Sequence, residues 1–170
     1  MERPNQDQVN LLVAYAVALR GTCQRRRVGA VLVDKNYHIL STGYNGTTRG
    51  RKHCTDEPCP GVGYPSGVGL DLCEAIHAEQ NALLQCPSVN KIFICYSTTM
   101  PCIHCVKLLL NTPCETIVYA EDYQNPGIEM WHDAGRNIAQ VSMNYGVVSM
   151  KSSFLKDTTW QACFTGGLSC

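Results

Sequence analysis

His77-Ala78-Glu79, followed by Pro101-Cys102-Ile103-His104-Cys105, places one imidazole, two thiols and one carboxyl group at metal-ligand spacing. A neutral imidazole with two thiolates suits Zn²⁺ and leaves a fourth tetrahedral position open for water. Structural zinc sites usually close that position with another protein ligand, whereas catalytic sites keep it free. His77, Cys102 and Cys105 are therefore the expected ligands of a catalytic zinc. Glu79, which is not needed as a ligand, is placed to handle the protons of the bound water, an effect worth on the order of 10²–10⁴-fold. A lone C-x-x-C also marks structural zinc half-sites and redox pairs. The upstream H-x-E and the proline before Cys102, on a separate helix, favour catalysis. His104 is expected to face solvent, because its helical neighbours occupy the metal-facing side.

Working outward, Pro101 suits a first helical position, so a helix is expected from there to about Asn111. Cys102 and Cys105 then share one side of its first turn, where unpaired N–H groups and the helix dipole favour thiolate. Glu74 to Cys86 is expected as a helix stopped by Pro87, with His77 and Glu79 in its first turns. If the two N-termini converge, the metal lies between them. From Asp7 to Arg20 the apolar residues Val9, Leu12, Val13, Ala16 and Leu19 fall at helical spacing, with Asp7 as cap and Gly21 as stop. Val28–Val33 and Tyr37–Thr42 read as a hairpin around the turn Asp34-Lys35-Asn36. Lys91–Thr98 and Thr116–Tyr119 read as strands, Ile128–Arg136 as a weak helix and Asn137–Met143 as a short fifth strand. This order implies an α/β layered domain with helices on both faces of a mixed sheet. A Gly-, Pro- and Cys-rich loop from Thr47 to about Asp71 is too long to go untethered.

At 170 residues, with 45% apolar content, the chain is most simply one domain with its own core. Its 14 acidic and 14 basic residues give a formal net charge of zero. A general nucleic-acid binder normally carries a basic surplus. The one concentrated positive run, Arg25-Arg26-Arg27, reads either as a solvated loop or as a phosphate contact. The start of the chain lacks a basic region followed by an apolar stretch, and the run from Leu11 to Leu19 is too short to span a bilayer. A cytoplasmic location without membrane contact is expected, so the 11 cysteines point to metal binding before disulfides. Phe154, Trp160 and Phe164 in the tail suggest subunit contact.

The order H-x-E then P-C-x-x-C is the signature of zinc nucleobase deaminases, and the chain resembles the deoxycytidylate (dCMP) deaminases of the cytidine deaminase-like superfamily. Arg27-Val28-Gly29-Ala30-Val31 with Ser41-Thr42-Gly43-Tyr44-Asn45-Gly46 is similar to that family's first hairpin and G-Y-N-G segment. Ile76–Ala82 and Pro101–Cys105 are similar to the catalytic segments, and Val118–Tyr123 to the segment that supplies an aromatic residue over the base. The resemblance covers about residues 7–143 and leaves 144–170 as an extension. It implies a three-layer α/β/α sandwich with a central mixed five-stranded sheet. It implies conversion of dCMP to dUMP and ammonia, feeding thymidylate synthesis, in a hexamer activated by dCTP and inhibited by dTTP with Mg²⁺. It implies that Asn45 bonds the substrate's sugar hydroxyl, Tyr123 stacks on the pyrimidine and Arg26 contacts the phosphate, with Tyr44 and Gly46 at the effector site. Three consecutive arginines depart from the Ser or Lys often found in that stretch. Acceptance of dCTP as substrate, action on a base within single-stranded nucleic acid, and a non-catalytic zinc-scaffolded interaction domain are the alternatives. The last gives Glu79 no purpose.

Some bacterial and phage members of the family carry a structural zinc in the long-loop region. Cys23 and Cys54 match two such ligand positions by their distances from Val28 and from Gly43–Gly46. Cys59 and Cys73 complete the expected set by proximity, with His53 an alternative ligand, and a metal there would tie the loop down. Cys86, Cys95, Cys114, Cys163 and Cys170 are then free, Cys86 and Cys95 as core residues.

Overall fold

Burial along the first strand sets the layers. In a computed structural model that describes residues 3–65, 68–123 and 125–143, β1 (Gly29–Val33) is buried at every position. Side chains alternate across a strand, so β1 feeds two cores. Ala30 and Leu32 pack on one face of the sheet, and Val31 and Val33 on the other. Only a strand covered on both sides reads as a continuous apolar run.

β1 pairs antiparallel with β2 (Ile39–Tyr44) and with β5 (Ile94–Thr99). β5, β6 (Thr116–Glu121) and β7 (Asn137–Gln140) run parallel, giving a mixed five-stranded sheet in the order β2-β1-β5-β6-β7. On one face lies α1 (Gln6–Ala18), whose Leu11 and Ala14 meet Val31, Val33, Ile94, Tyr96 and Val118. On the other lie α2 (Ala78–Gln85), α3 (Ile103–Leu110) and α4 (Gly127–Asp133). They bury Ala78, Ala82, Val106, Leu109 and Trp131 against Ala30, Leu32, Cys95, Ile117 and Tyr119. The α/β/α sandwich expected from the sequence is the fold found. Two glycines let the helices come close: a Cβ at Gly29 would overlap the Ala14 carbonyl of α1, and one at Gly43 the Ala78 carbonyl of α2.

Several boundaries differ from the sequence expectation. Asn5, not Asp7, caps α1: its Oδ1 accepts from Gln8 N–H (2.9 Å) while Gln8 Oε1 accepts from Asn5 N–H (3.0 Å). Asp7 is engaged elsewhere, accepting from the Tyr96 hydroxyl at 2.7 Å. Tyr37 belongs to the hairpin turn, with φ 62°, so the second strand starts at Ile39. The helix expected from Glu74 begins at Ala78, because Ala75–Ile76 (β4) pairs with Gly46–Thr47 (β3) and holds that segment extended. That pairing and a short 3-10 turn (Leu70–Leu72) lie at the two ends of the long loop. The fifth strand stops at Gln140. Residues 144–170, including Phe154, Trp160, Phe164, Cys163 and Cys170, lie outside the described residues. No helix among the described residues is long and apolar enough to cross a membrane.

Candidate metal centre and active site

The carboxyl ends of parallel strands are where ligands bind in α/β sheets, and the motif residues gather at that edge. β5 leads through Met100 and Pro101 into α3, and β4 leads into α2. His77 is the extended N-cap of α2, its backbone N–H donating to Gln80 Oε1 at 2.9 Å. Cys102 is the extended N-cap of α3, and Cys105 lies in that helix's first turn. The two helix starts therefore face each other across the ligand atoms.

His77 Nδ1 lies 3.3 Å from Cys102 Sγ and 3.5 Å from Cys105 Sγ, and the two sulfurs are 3.8 Å apart. With Zn–S about 2.3 Å and Zn–N about 2.05 Å, a tetrahedron has S–S edges of about 3.8 Å and S–N edges of about 3.6 Å. The triangle has the size of one face of such a tetrahedron, so the donor set fits zinc with one ligand position to spare. The two thiols divide: hydrogen bonding to Cys102 and then burial push Cys105 well up. Cys102 is held far below the usual thiol range, to about 3, first by hydrogen bonding with Cys105 and then with His77. Its thiolate in turn raises His77.

Glu79 is 4% exposed. Its Oε1 accepts from Ser97 Oγ at 3.2 Å, and its Oε2 faces Cys105 Sγ at 3.4 Å. Desolvation pushes its carboxyl above the ordinary range, which suits a group that must both take and give protons. A bound cation would oppose that shift.

His77, Glu79 and Cys102 line an open cleft of about 100 Å³, shared with Arg26, Asn45 and Tyr123. The structure brings the candidate substrate residues Arg26, Asn45 and Tyr123 to one cavity. Asn45 has no left-handed backbone. Its Oδ1 accepts from Val28 N–H and its Nδ2 donates to the Arg26 carbonyl, both at 2.8 Å. One N–H and one lone pair remain for a ligand.

The three arginines divide. Arg27 is exposed, and Arg25 and Arg26 line the cleft. Neither of the two pairs with a carboxylate: the ion pairs among the described residues are His38–Asp34, Arg51–Glu74 and Lys52–Glu57. Arg26 Nη1 is buried without a hydrogen-bond partner. Tyr44 and Gly46 flank Asn45 but do not line the cleft. The Tyr44 carbonyl accepts from Asn81 Nδ2 at 2.8 Å, and Gly46 pairs with Ile76. His104 is exposed, as expected.

The fold also gathers the loop cysteines. Cys59 lies beside Cys54 and Cys73, and Cys23 adjoins Cys54 and Cys73. Burial lifts Cys54 to about 11. No three of these sulfurs come within 4.8 Å of one another, a condition met among the described residues only by His77, Cys102 and Cys105. His53 is exposed. All nine described cysteines are free thiols; Cys95 is fully buried, whereas Cys86 is only half-buried.

Sequence reasoning missed Ser97, and it had Arg25 only as part of the Arg25-Arg26-Arg27 run, without its bonds to the Pro65 and Val68 carbonyls. A signal for the first was available: Ser97-Thr98-Thr99 is a polar run in a strand that leads straight into Pro101-Cys102.

The model of the cytidine and deoxycytidylate deaminase zinc-binding region matches residues 4–121, most of the chain and the whole metal centre. The chain belongs to the cytidine and deoxycytidylate deaminase family. This deaminase is 35% identical over 161 residues to the ComE operon protein 2 of Bacillus subtilis (strain 168), covering 89% of the chain and 79% of that protein. It is 39% identical over 130 residues to the deoxycytidylate deaminase of Mycobacterium phage D29, covering 72% of the chain and 99% of the relative. Among solved structures it resembles the dCMP deaminase of cyanophage S-TIM5 in complex with dCMP and dUMP, with 25% identity and a TM-score of 0.65. That match covers 83% of this chain and 100% of the other. Family membership makes zinc the metal that the His77/Cys102/Cys105 set is suited to hold.

Proposed function

We propose that this chain hydrolyses dCMP to dUMP and ammonia. The observation that carries the substrate choice is the pair Arg25 and Arg26. Both line the cleft that holds the metal-ligand set and Glu79, and neither is neutralised by a carboxylate. A partly buried guanidinium that no carboxylate neutralises favours an anion beside it, and Arg suits phosphate. The phage relatives named for dCMP support the same choice.

Zinc, held by His77, Cys102 and Cys105, supplies a Lewis acid that lowers the pKa of a water to about 7. The chain's own residues do the rest. Glu79 takes a proton from the attacking water and returns protons to the ring nitrogen and then to the departing amine. One C–O bond forms at the ring carbon, its exocyclic C–N bond breaks, and ammonia leaves. Ser97 holds Glu79 Oε1 still, leaving Oε2 toward the ligand set. Asn45 offers its remaining N–H to the sugar hydroxyl, Tyr123 stacks on the base, and Arg26 contacts the phosphate. Water exclusion by the apolar wall of Val28 and Met100 strengthens each contact.

The same reading treats residues 1–170 as one cytoplasmic deaminase domain, with a core of about 7–143, that supplies dUMP for thymidylate synthesis as a hexamer. dCTP activates it and dTTP inhibits it with Mg²⁺, at a site that includes Tyr44 and Gly46. A second, structural zinc held by Cys23, Cys54, Cys59 and Cys73 is supported by the gathering of these thiols beside the long loop. Ammonia release from dCMP, deoxycytidine, dCTP and a single-stranded oligonucleotide, with and without dCTP or dTTP as effector, tests the assignment. Preference for dCMP supports it. Equal turnover of deoxycytidine, or faster turnover of the oligonucleotide, refutes it.

A further inference from the structure

Consecutive residues on one segment grip the long loop, and the next residue in the chain faces the cleft. Cys23 adjoins Cys54 and Cys73. Gln24 Nε2 donates to the Cys54 carbonyl at 2.6 Å. Arg25 Nη2 donates to the Pro65 carbonyl at 2.5 Å and to the Val68 carbonyl at 2.9 Å. Arg26 then enters the cleft, its own carbonyl held by Asn45 at 2.8 Å.

We propose that Arg25 is a positioning residue for nucleotide binding: by holding Pro65 and Val68 it clasps the cleft wall at Cys73 against the wall at Arg26 and Asn45. The inference rests on the deamination of dCMP proposed above and adds a second task to Arg25, whose charge already bears on the substrate choice there. The geometry separates binding from chemistry. Beyond Val68 the chain reaches Cys73, which lines the cleft. His77 is fixed independently, by the β3–β4 pairing before it and by α2 after it. Losing the clasp therefore loosens the nucleotide's surroundings while the ligand triangle and Glu79 stay in place. The acceptors are carbonyls and not carboxylates, so the cation keeps its field for an anionic substrate. A lysine ammonium is a point donor without the planar fork, so it restores the clasp only in part.

The test uses the zinc-loaded full chain with Arg25→Met and Arg25→Lys. For Arg25→Met, hydrogen exchange of the amides in residues 54–65 should speed up by about tenfold, the scale of a lost bond from a charged donor. KM for dCMP should rise about tenfold with kcat within about twofold, and Arg25→Lys should fall between this variant and the wild type. Unchanged loop exchange with a raised KM for dCMP alone would make Arg25 a direct phosphate contact and overturn the clasp. A lower kcat at unchanged KM, with a general loss of thermal stability, would make it merely structural and also overturn it. If the wild type fails to deaminate dCMP, the reaction assignment falls, whereas the exchange comparison still decides whether Arg25 holds the loop.

Discussion

Ser97 donates its hydroxyl to Glu79 Oε1 at 3.2 Å, from a strand position with no solvent exposure. That single bond orients the carboxyl group next to the metal-ligand triangle. Replacing Ser97 by Ala leaves β5 packed but lets Glu79 rotate. The expected outcome is a fall in kcat of about tenfold, the value of one hydrogen bond to a charged group. Zinc content, measured on the same preparation, should not change. An unaltered kcat would show that Glu79 needs no help from β5.

Gly43 governs how close α2 sits to the sheet. A Cβ there would collide with the backbone of Ala78 and Ala82, which cannot move aside as a side chain could. Gly43→Ala should destabilise the fold by about 2 kcal/mol, within the range of overpacked cores. The urea midpoint should fall at unchanged slope. Because Ala78 directly follows the ligand His77, zinc affinity should drop as well. Gly63, with nothing within 4 Å of its Cβ position and no left-handed backbone, is the control site for added bulk.

Asn45 is a brace before it is a ligand contact. Its amide joins Val28 N–H to the Arg26 carbonyl across the strand end. Asn45→Ala should raise KM for dCMP and also lower stability by about 1 kcal/mol, since two partly buried backbone groups lose their partner. A KM effect with no stability loss would deny the bracing role.

The hairpin turn carries a pH signature. Asp34 lies below its ordinary value of 3.8, first because the His38 backbone N–H donates to it. A carboxyl whose folded pKa is lowered contributes stability that is complete above the unfolded value and lost as pH falls through the folded one. The stability difference between wild type and Asp34→Asn should therefore shrink as pH falls below about 3.8. Urea titrations across that range will show it. A difference that widens in acid would contradict the turn's hydrogen-bond pattern.

The layered fold was legible because its evidence is periodic. β1 carries its burial in its apolar pattern, and Pro101-Cys102 announces the start of α3; α1 is a helix as expected, but it buries Leu11, Ala14 and Ala18, whereas Val9 and Ala16 of the expected stripe are exposed. The catalytic triangle was legible for a related reason: each ligand sits at a helix N-cap or in the adjoining first turn, where sequence spacing fixes direction. What the sequence could not show depends on partners far along the chain. Asp7 looks like a cap until Tyr96 claims it. Ala75–Ile76 looks helical until Gly46–Thr47 pairs with it. The clasp by Arg25 joins residues 40 or more positions apart, and no local pattern encodes it.

The most direct measurement is ammonia release from dCMP by the zinc-loaded chain and by Glu79→Gln, with zinc counted on both. The wild type should release one ammonia per dUMP formed, and Glu79→Gln should retain zinc at His77, Cys102 and Cys105 while losing at least about a hundredfold in kcat. Full turnover by Glu79→Gln, or a zinc-loaded wild type that leaves dCMP intact, would contradict the account.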